Sequence, residues 1–148
     1  MNATFIIPFI ILGGALQTCG AAMNGQLYKH IVNPWLASTI SFALITIFFL
    51  AAFLIRPHPL PSSQELAAMP WWAVIGGLVG AVQVYAGLTL VTTVGAGSFV
   101  GITVTAALIT SLLVDHFGWF RIETHPISLW RMLGAALMIG GVVLITKF

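Results

Sequence analysis

The sequence predicts an all-α integral membrane protein, with five transmembrane helices forming one transmembrane domain over residues 1–148. Three observations lead there. Of the 148 residues, 59% are hydrophobic and 5% are charged, whereas a soluble domain carries roughly 25% charge. Mean hydropathy is +1.08, too high for a chain folded in water. Residues 70–115 form an apolar run whose single charge, Asp115, is its last residue. One helical span needs about 20 apolar residues, so this run crosses a bilayer twice. In lipid only helices and closed barrels satisfy their own backbone groups. Barrel strands are short and alternating; these runs are long and unbroken, so helix is the expectation.

The first span is expected over about 4–28, followed by a polar turn at Lys29, His30, Asn33 and Pro34. The second runs over about 34–55, with Pro34 in a first turn where its missing N–H is harmless. Arg56-Pro57-His58-Pro59-Leu60-Pro61 stops it, because proline lacks the donor a continuing helix needs. Residues 57–69 are the longest polar connection, and Ser62, Ser63 and Glu65 predict a short interfacial helical turn within it. The third and fourth spans, about 70–93 and 96–114, form a hairpin turning at Val94-Gly95-Ala96-Gly97. A second polar loop over 115–127 holds the acidic residues other than Glu65. The fifth span runs over about 127–145 and ends before Lys147-Phe148.

Composition also excludes several functions. A net charge of +2, scattered along the chain, is too weak for nucleic-acid binding. With one cysteine, Cys19, no internal disulfide can form. Leu16-Gln17-Thr18-Cys19 lacks the small residue that a lipoprotein cleavage site needs before its cysteine. No Lys or Arg precedes the first apolar run, so that span is expected to be retained rather than cleaved as a signal peptide. His58, His116, His125 and Glu123 have no close ligand spacing, so no metal is expected. There is no nucleophile–base pair and no phosphate loop, so neither enzymatic activity nor a cofactor is expected.

Five spans put the two termini on opposite sides of the membrane. Arg56, Arg121 and Arg131 fall on the side of the N-terminus, and Lys29 and Lys147 on the other. Orientation follows the Lys/Arg bias of short loops, and three against two is almost none. A single, weakly biased orientation and insertion in both orientations therefore both stay open. Trp71, Trp72, Trp119 and Trp130 lie near one surface, and Trp35 and Tyr28 near the other, as interface anchors do. Substrate stacking by Trp71 or Trp72 is the competing reading.

Polar and small residues inside the spans supply the candidate site. Gly13, Gln17, Gly20 and Asn24 share one face of the first helix, and Gly76, Gly80, Gln83 and Gly87 one face of the third. Thr103, Ala107, Thr110 and Ser111 mark the fourth helix, and Gly134, Met138 and Gly141 the fifth. Small residues let helices approach closely, and amides can bond between helices. Alternatively, Gln17, Asn24 and Gln83 line a polar cavity at mid-depth. No Asp, Glu, Lys or Arg sits at the centre of a span, which disfavours proton exchange against a cationic drug. Asp115 lies at a helix end against the unfavourable dipole pole, unless His116, Arg121 or Arg131 compensates.

Several runs then match a known pattern: Ala22-Met23-Asn24-Gly25; Trp71-Trp72 with Gly76-Gly77 and Gly80-Ala81; Leu113-Val114-Asp115-His116-Phe117-Gly118-Trp119; and Arg131-Met132-Leu133-Gly134 with Gly140-Gly141-Val142. Over essentially its whole length the chain resembles the YdcZ-like family, five-helix half-size members of the drug/metabolite transporter superfamily with no assigned function. The resemblance implies a bacterial inner (cytoplasmic) membrane protein and half of a ten-helix inverted-repeat fold. It also implies that such chains occur with dual topology, as oppositely oriented pairs or as fusions. Where many relatives carry Gly-Gln in the fourth helix, this chain has Ala106-Ala107.

The expectation is a small-molecule transporter subunit that works as an antiparallel homodimer by alternating access. Its partners are the lipid bilayer, a second copy of itself and a neutral or anionic metabolite. Gln17, Asn24, Gln83, Trp72 and Thr103 would bind substrate, with Asp115, His116, Arg121 and Arg131 as an interfacial charge network. A non-transporting packing module, and half of a heterodimer with an oppositely oriented paralogue, are the alternatives.

Overall fold

The apolar runs become five helices long and apolar enough to cross a membrane, and there is no strand among the described residues. The structure, a computed structural model, describes residues 3–148, and side-chain surroundings from residue 5. The spanning helices are α1 (Ala3–Ile31), α2 (Pro34–Ile55), α4 (Gly76–Val94), α5 (Ala96–Phe117) and α6 (Leu129–Lys147). A six-residue helix, α3 (Ser63–Ala68), lies in the long polar connection, and a 3-10 segment, Trp71–Ile75, leads into α4. This is a five-helix membrane protein. By contact it divides into two compact units, Met1–Thr93 and Val94–Phe148.

In the first unit, α1 runs three residues past the expected end at Tyr28, to Ile31. The turn is therefore two residues long. Val32 closes α1 in the left-handed region (φ 63°) and donates its N–H to Tyr28 O at 2.7 Å. Asn33 then caps α2: its Oδ1 accepts from the N–H groups of Trp35 (3.0 Å) and Leu36 (3.1 Å), satisfying two of the donors a helix start leaves open. α3 carries a capping box, in which Ser62 Oγ accepts from the Glu65 N–H and Glu65 accepts from the Ser62 N–H at 2.7 Å. That bond, and a second from the Ser62 hydroxyl, hold the exposed Glu65 carboxyl below its ordinary range. Ala37 and Leu88 are fully buried, and Val91 nearly so.

α1 and α4 meet at Gly25. A Cβ there would lie 2.6 Å from Val91 Cγ1 and 2.8 Å from Thr92 Cγ2, so only a hydrogen side chain allows this approach.

A single residue, Gly95 at φ 87°, separates α4 from α5. In the second unit α5 packs against α6, and Val142 approaches Gly101, where a Cβ would meet it at 3.2 Å. The loop between them is held to the end of α5. Gly118 ends α5 in the left-handed region, and Phe120 and Arg121 follow it there. Non-glycine residues are uncommon in that region. His125 N–H donates to Asp115 O at 2.9 Å, and Ser128 Oγ caps α6 by accepting from the Arg131 N–H.

Candidate functional site

The polar stripe of α1 has two different ends. Asn24, half-buried, accepts a hydrogen bond at its Oδ1 from Ser41 Oγ of α2 at 3.1 Å. Gln17, two turns earlier, lies exposed, and among the described residues its side chain has no hydrogen-bond partner. Cβ atoms added at Gly13 and Gly20 would meet nothing within 4 Å. The stripe of α4 repeats this contrast. Gly87 is buried, while Gln83 is exposed with no hydrogen-bond partner among the described residues, and Gly76 and Gly80 face open space. In water an exposed glutamine is ordinary. Inside a bilayer an amide facing hydrocarbon is costly.

Trp72 is half-buried in the 3-10 segment leading into α4. Thr103 is half-buried on α5, in the second unit. On α6, Gly134 and Gly141 also face open space. The contacts at Gly25 and Gly101 escape the sequence reading. Both carry a signal, since Ala21-xxx-Gly25 and Gly97-xxx-Gly101 are small-xxx-small pairs.

A further feature is an open groove of about 720 Å³ between α2 and α4. Trp35, Ser38, Phe42, Thr46, Val82 and Tyr85 line it. The Trp35 and Tyr85 rings sit 5.1 Å apart. Thr46 donates its hydroxyl to Phe42 O, while Ser38 Oγ is buried with no partner among the described residues. The spacing of Trp35, Ser38, Phe42 and Thr46 along one face of α2 could have revealed it.

At the far end of the second unit, Asp115 Oδ2 pairs with Arg131 Nη1 at 3.3 Å, the one ion pair among the described residues. Arg131 Nη1 also donates to His125 O at 3.4 Å. His116 Nδ1 accepts from the Ile127 N–H at 3.3 Å. Arg121 is exposed and takes no part in these bonds. The compensating charge for Asp115 is thus Arg131, sixteen residues on in sequence. Among the described residues, no three His, Cys, Asp or Glu side chains gather to hold a metal ion.

Five apolar helices, with amides in the spans and their ion pair at a helix end, define a multi-pass membrane protein rather than a soluble helical bundle. The chain belongs to the YdcZ family, described as "Putative inner membrane exporter, YdcZ", which matches residues 5–144. It is similar to the inner membrane protein YdcZ of Escherichia coli (strain K12), at 24% identity over 157 aligned positions covering 99% of this chain and 98% of that protein. No solved structure matches it.

Proposed function

We propose that this chain is a subunit of a small-molecule membrane transporter, acting as one transmembrane domain and pairing with an inverted copy of itself. The family description, exporter, supports movement of a solute across the inner membrane. One observation carries the rest. Gln17 and Gln83 lie within spanning helices, exposed and without hydrogen-bond partners among the described residues, on faces where added Cβ atoms at Gly13, Gly76 and Gly80 meet nothing. A polar group at membrane depth belongs against protein or water, so these faces call for a second surface. Near-equal Lys/Arg content on the two sides supports insertion in both orientations. Two inverted five-helix halves make the symmetry on which alternating access around a mid-membrane site depends. Gln17, Asn24 and Gln83 then serve as uncharged contacts for a solute of no net positive charge, with Trp72 as a further contact.

The open glycine faces equally suit a module whose role is assembly alone, and one experiment separates the two. Purified protein is reconstituted in liposomes loaded with candidate metabolites. Transport predicts flux that falls at least about tenfold in Asn24→Ala and Gln83→Leu with folding retained, an effect of about 1.4 kcal/mol. Unchanged flux in both variants removes the site assignment. Absence of flux for every solute, with assembly intact, favours the packing module.

A further inference from the structure

The Asp115–Arg131 pair is poorly satisfied for a structural ion pair. It is long and single-pronged at 3.3 Å, and the side chains of Arg131 and Asp115 remain 36% and 30% exposed. Arginine offers five N–H donors in a fork, and a carboxylate two acceptor oxygens. Here only Nη1 and Oδ2 are used. Among the described residues, Asp115 Oδ1 and the Nε and Nη2 of Arg131 engage nothing. Both groups open into a crevice of about 330 Å³ between α5 and α6, whose remaining wall includes Ser111, Gly134 and Ala135.

The helix ends make the pair more unusual. Asp115 sits in the last turn of α5, where the carbonyl pole disfavours an anion, and Arg131 in the first turn of α6, where the N–H pole disfavours a cation. Each side chain therefore carries the charge its helix end resists. The location favours a cation beside Asp115, at the end of α5, and an anion beside Arg131, at the start of α6. A molecule with both charges, a few bonds apart, satisfies the open side-chain valences and both helix poles together. A singly charged solute satisfies one half and competes with the existing partner at the other.

From this we infer that the α5–α6 crevice is a binding site for a small zwitterion, its anion held by Arg131 and its ammonium by Asp115. The inference goes beyond the transport reading by adding a second site, apart from Gln17, Asn24 and Gln83, and it rests on that reading only for the fate of a soluble ligand. Two sources share this chemistry: a soluble amino acid, and the phosphoethanolamine headgroup of a lipid. The loop tethers, from His125 N–H to Asp115 O and from Ile127 N–H to His116 Nδ1, hold the crevice in shape without drawing on the open valences.

The test is binding, not flux, so that it can fail while transport stands. Purified protein in detergent is titrated calorimetrically with glycine, glycinamide (cation alone) and acetate (anion alone). In parallel, native mass spectrometry scores retention of phosphatidylethanolamine against phosphatidylglycerol. The expected result is saturable binding of glycine, or selective retention of phosphatidylethanolamine, with at least about tenfold preference over the singly charged counterpart. Asp115→Asn and Arg131→Gln should each abolish that preference while gel filtration and circular dichroism stay unchanged, and Arg131→Lys should restore part of it. Glycine binding identifies a soluble source, and lipid selectivity alone a headgroup. No preference for either zwitterion, or a preference that survives in both Asp115→Asn and Arg131→Gln, overturns the site.

Discussion

The two helix pairs of this chain are tied by different chemistry. α1 and α2 are joined by a two-residue turn and linked between helices by a neutral bond, Ser41 Oγ to Asn24 Oδ1. α5 and α6 are joined by a longer loop and linked by charges, Asp115 with Arg131, at the helix ends. Depth explains the difference. A charge is tolerable at the membrane surface, where water and headgroups reach it, and costly at the centre. A hydroxyl–amide bond is affordable deeper, at roughly 0.6 kcal/mol for the pair. Close approaches at glycine, Gly25 of α1 against α4 and Gly101 of α5 against α6, do the packing that burial of apolar surface does in water. Lipid is as apolar as leucine, so shape rather than hydrophobicity holds these helices.

The largest expected effect tests that packing claim. Gly25→Leu drives a branched side chain into Val91 and Thr92 and should cost more than the 1–3 kcal/mol, roughly, of ordinary overpacking. Unfolding in a denaturing detergent series measures it, and wild-type stability would break the assignment of Gly25 as the α1–α4 contact. Gly76→Leu and Gly80→Leu should behave oppositely. They meet nothing in the chain, so monomer stability should hold while dimer yield in cross-linking falls several-fold. Intermediate in size, Asn24→Ala with Ser41→Ala in a double-mutant cycle should return a coupling of about 0.6 kcal/mol. A value near zero would remove the neutral tie from the comparison.

The smallest effect concerns α3, outside the spans. The Glu65 carboxyl is held below its ordinary range by the Ser62 N–H and hydroxyl. A depressed folded-state value means that the cap's contribution is present above the ordinary carboxylate range and disappears as pH falls through the lowered value. The protection factors of the amides over residues 63–68, taken relative to the intrinsic exchange rate at each pH, should therefore fall in acid, and Glu65→Gln should flatten the dependence.

Much of the fold is legible in the sequence because hydropathy is a local property. Five runs of spanning length, the Asn33-Pro34 start of α2 and the break at Gly95 follow from residue type alone. Contacts between elements are less legible. Spacing puts Gly13, Gln17 and Gly20 on one face, but which helix a face meets depends on packing. The contact of α1 with α4 falls at Gly25 instead. Likewise His116, Arg121 and Arg131 are equivalent as partners for Asp115 on paper. The left-handed Phe120 and Arg121 shape a loop that leaves Arg121 outside and returns Arg131 to Asp115, and nothing in their residue types announces that conformation.

The most direct measurement is the sidedness of the C-terminus. With Cys19→Ser removing the native thiol and Phe148→Cys adding one, intact inner-membrane vesicles are labelled with an impermeant maleimide before and after permeabilisation. An inverted pair predicts that about half the molecules react from each face, and that cross-linked dimers join oppositely oriented chains. Labelling of every molecule from a single face would contradict it.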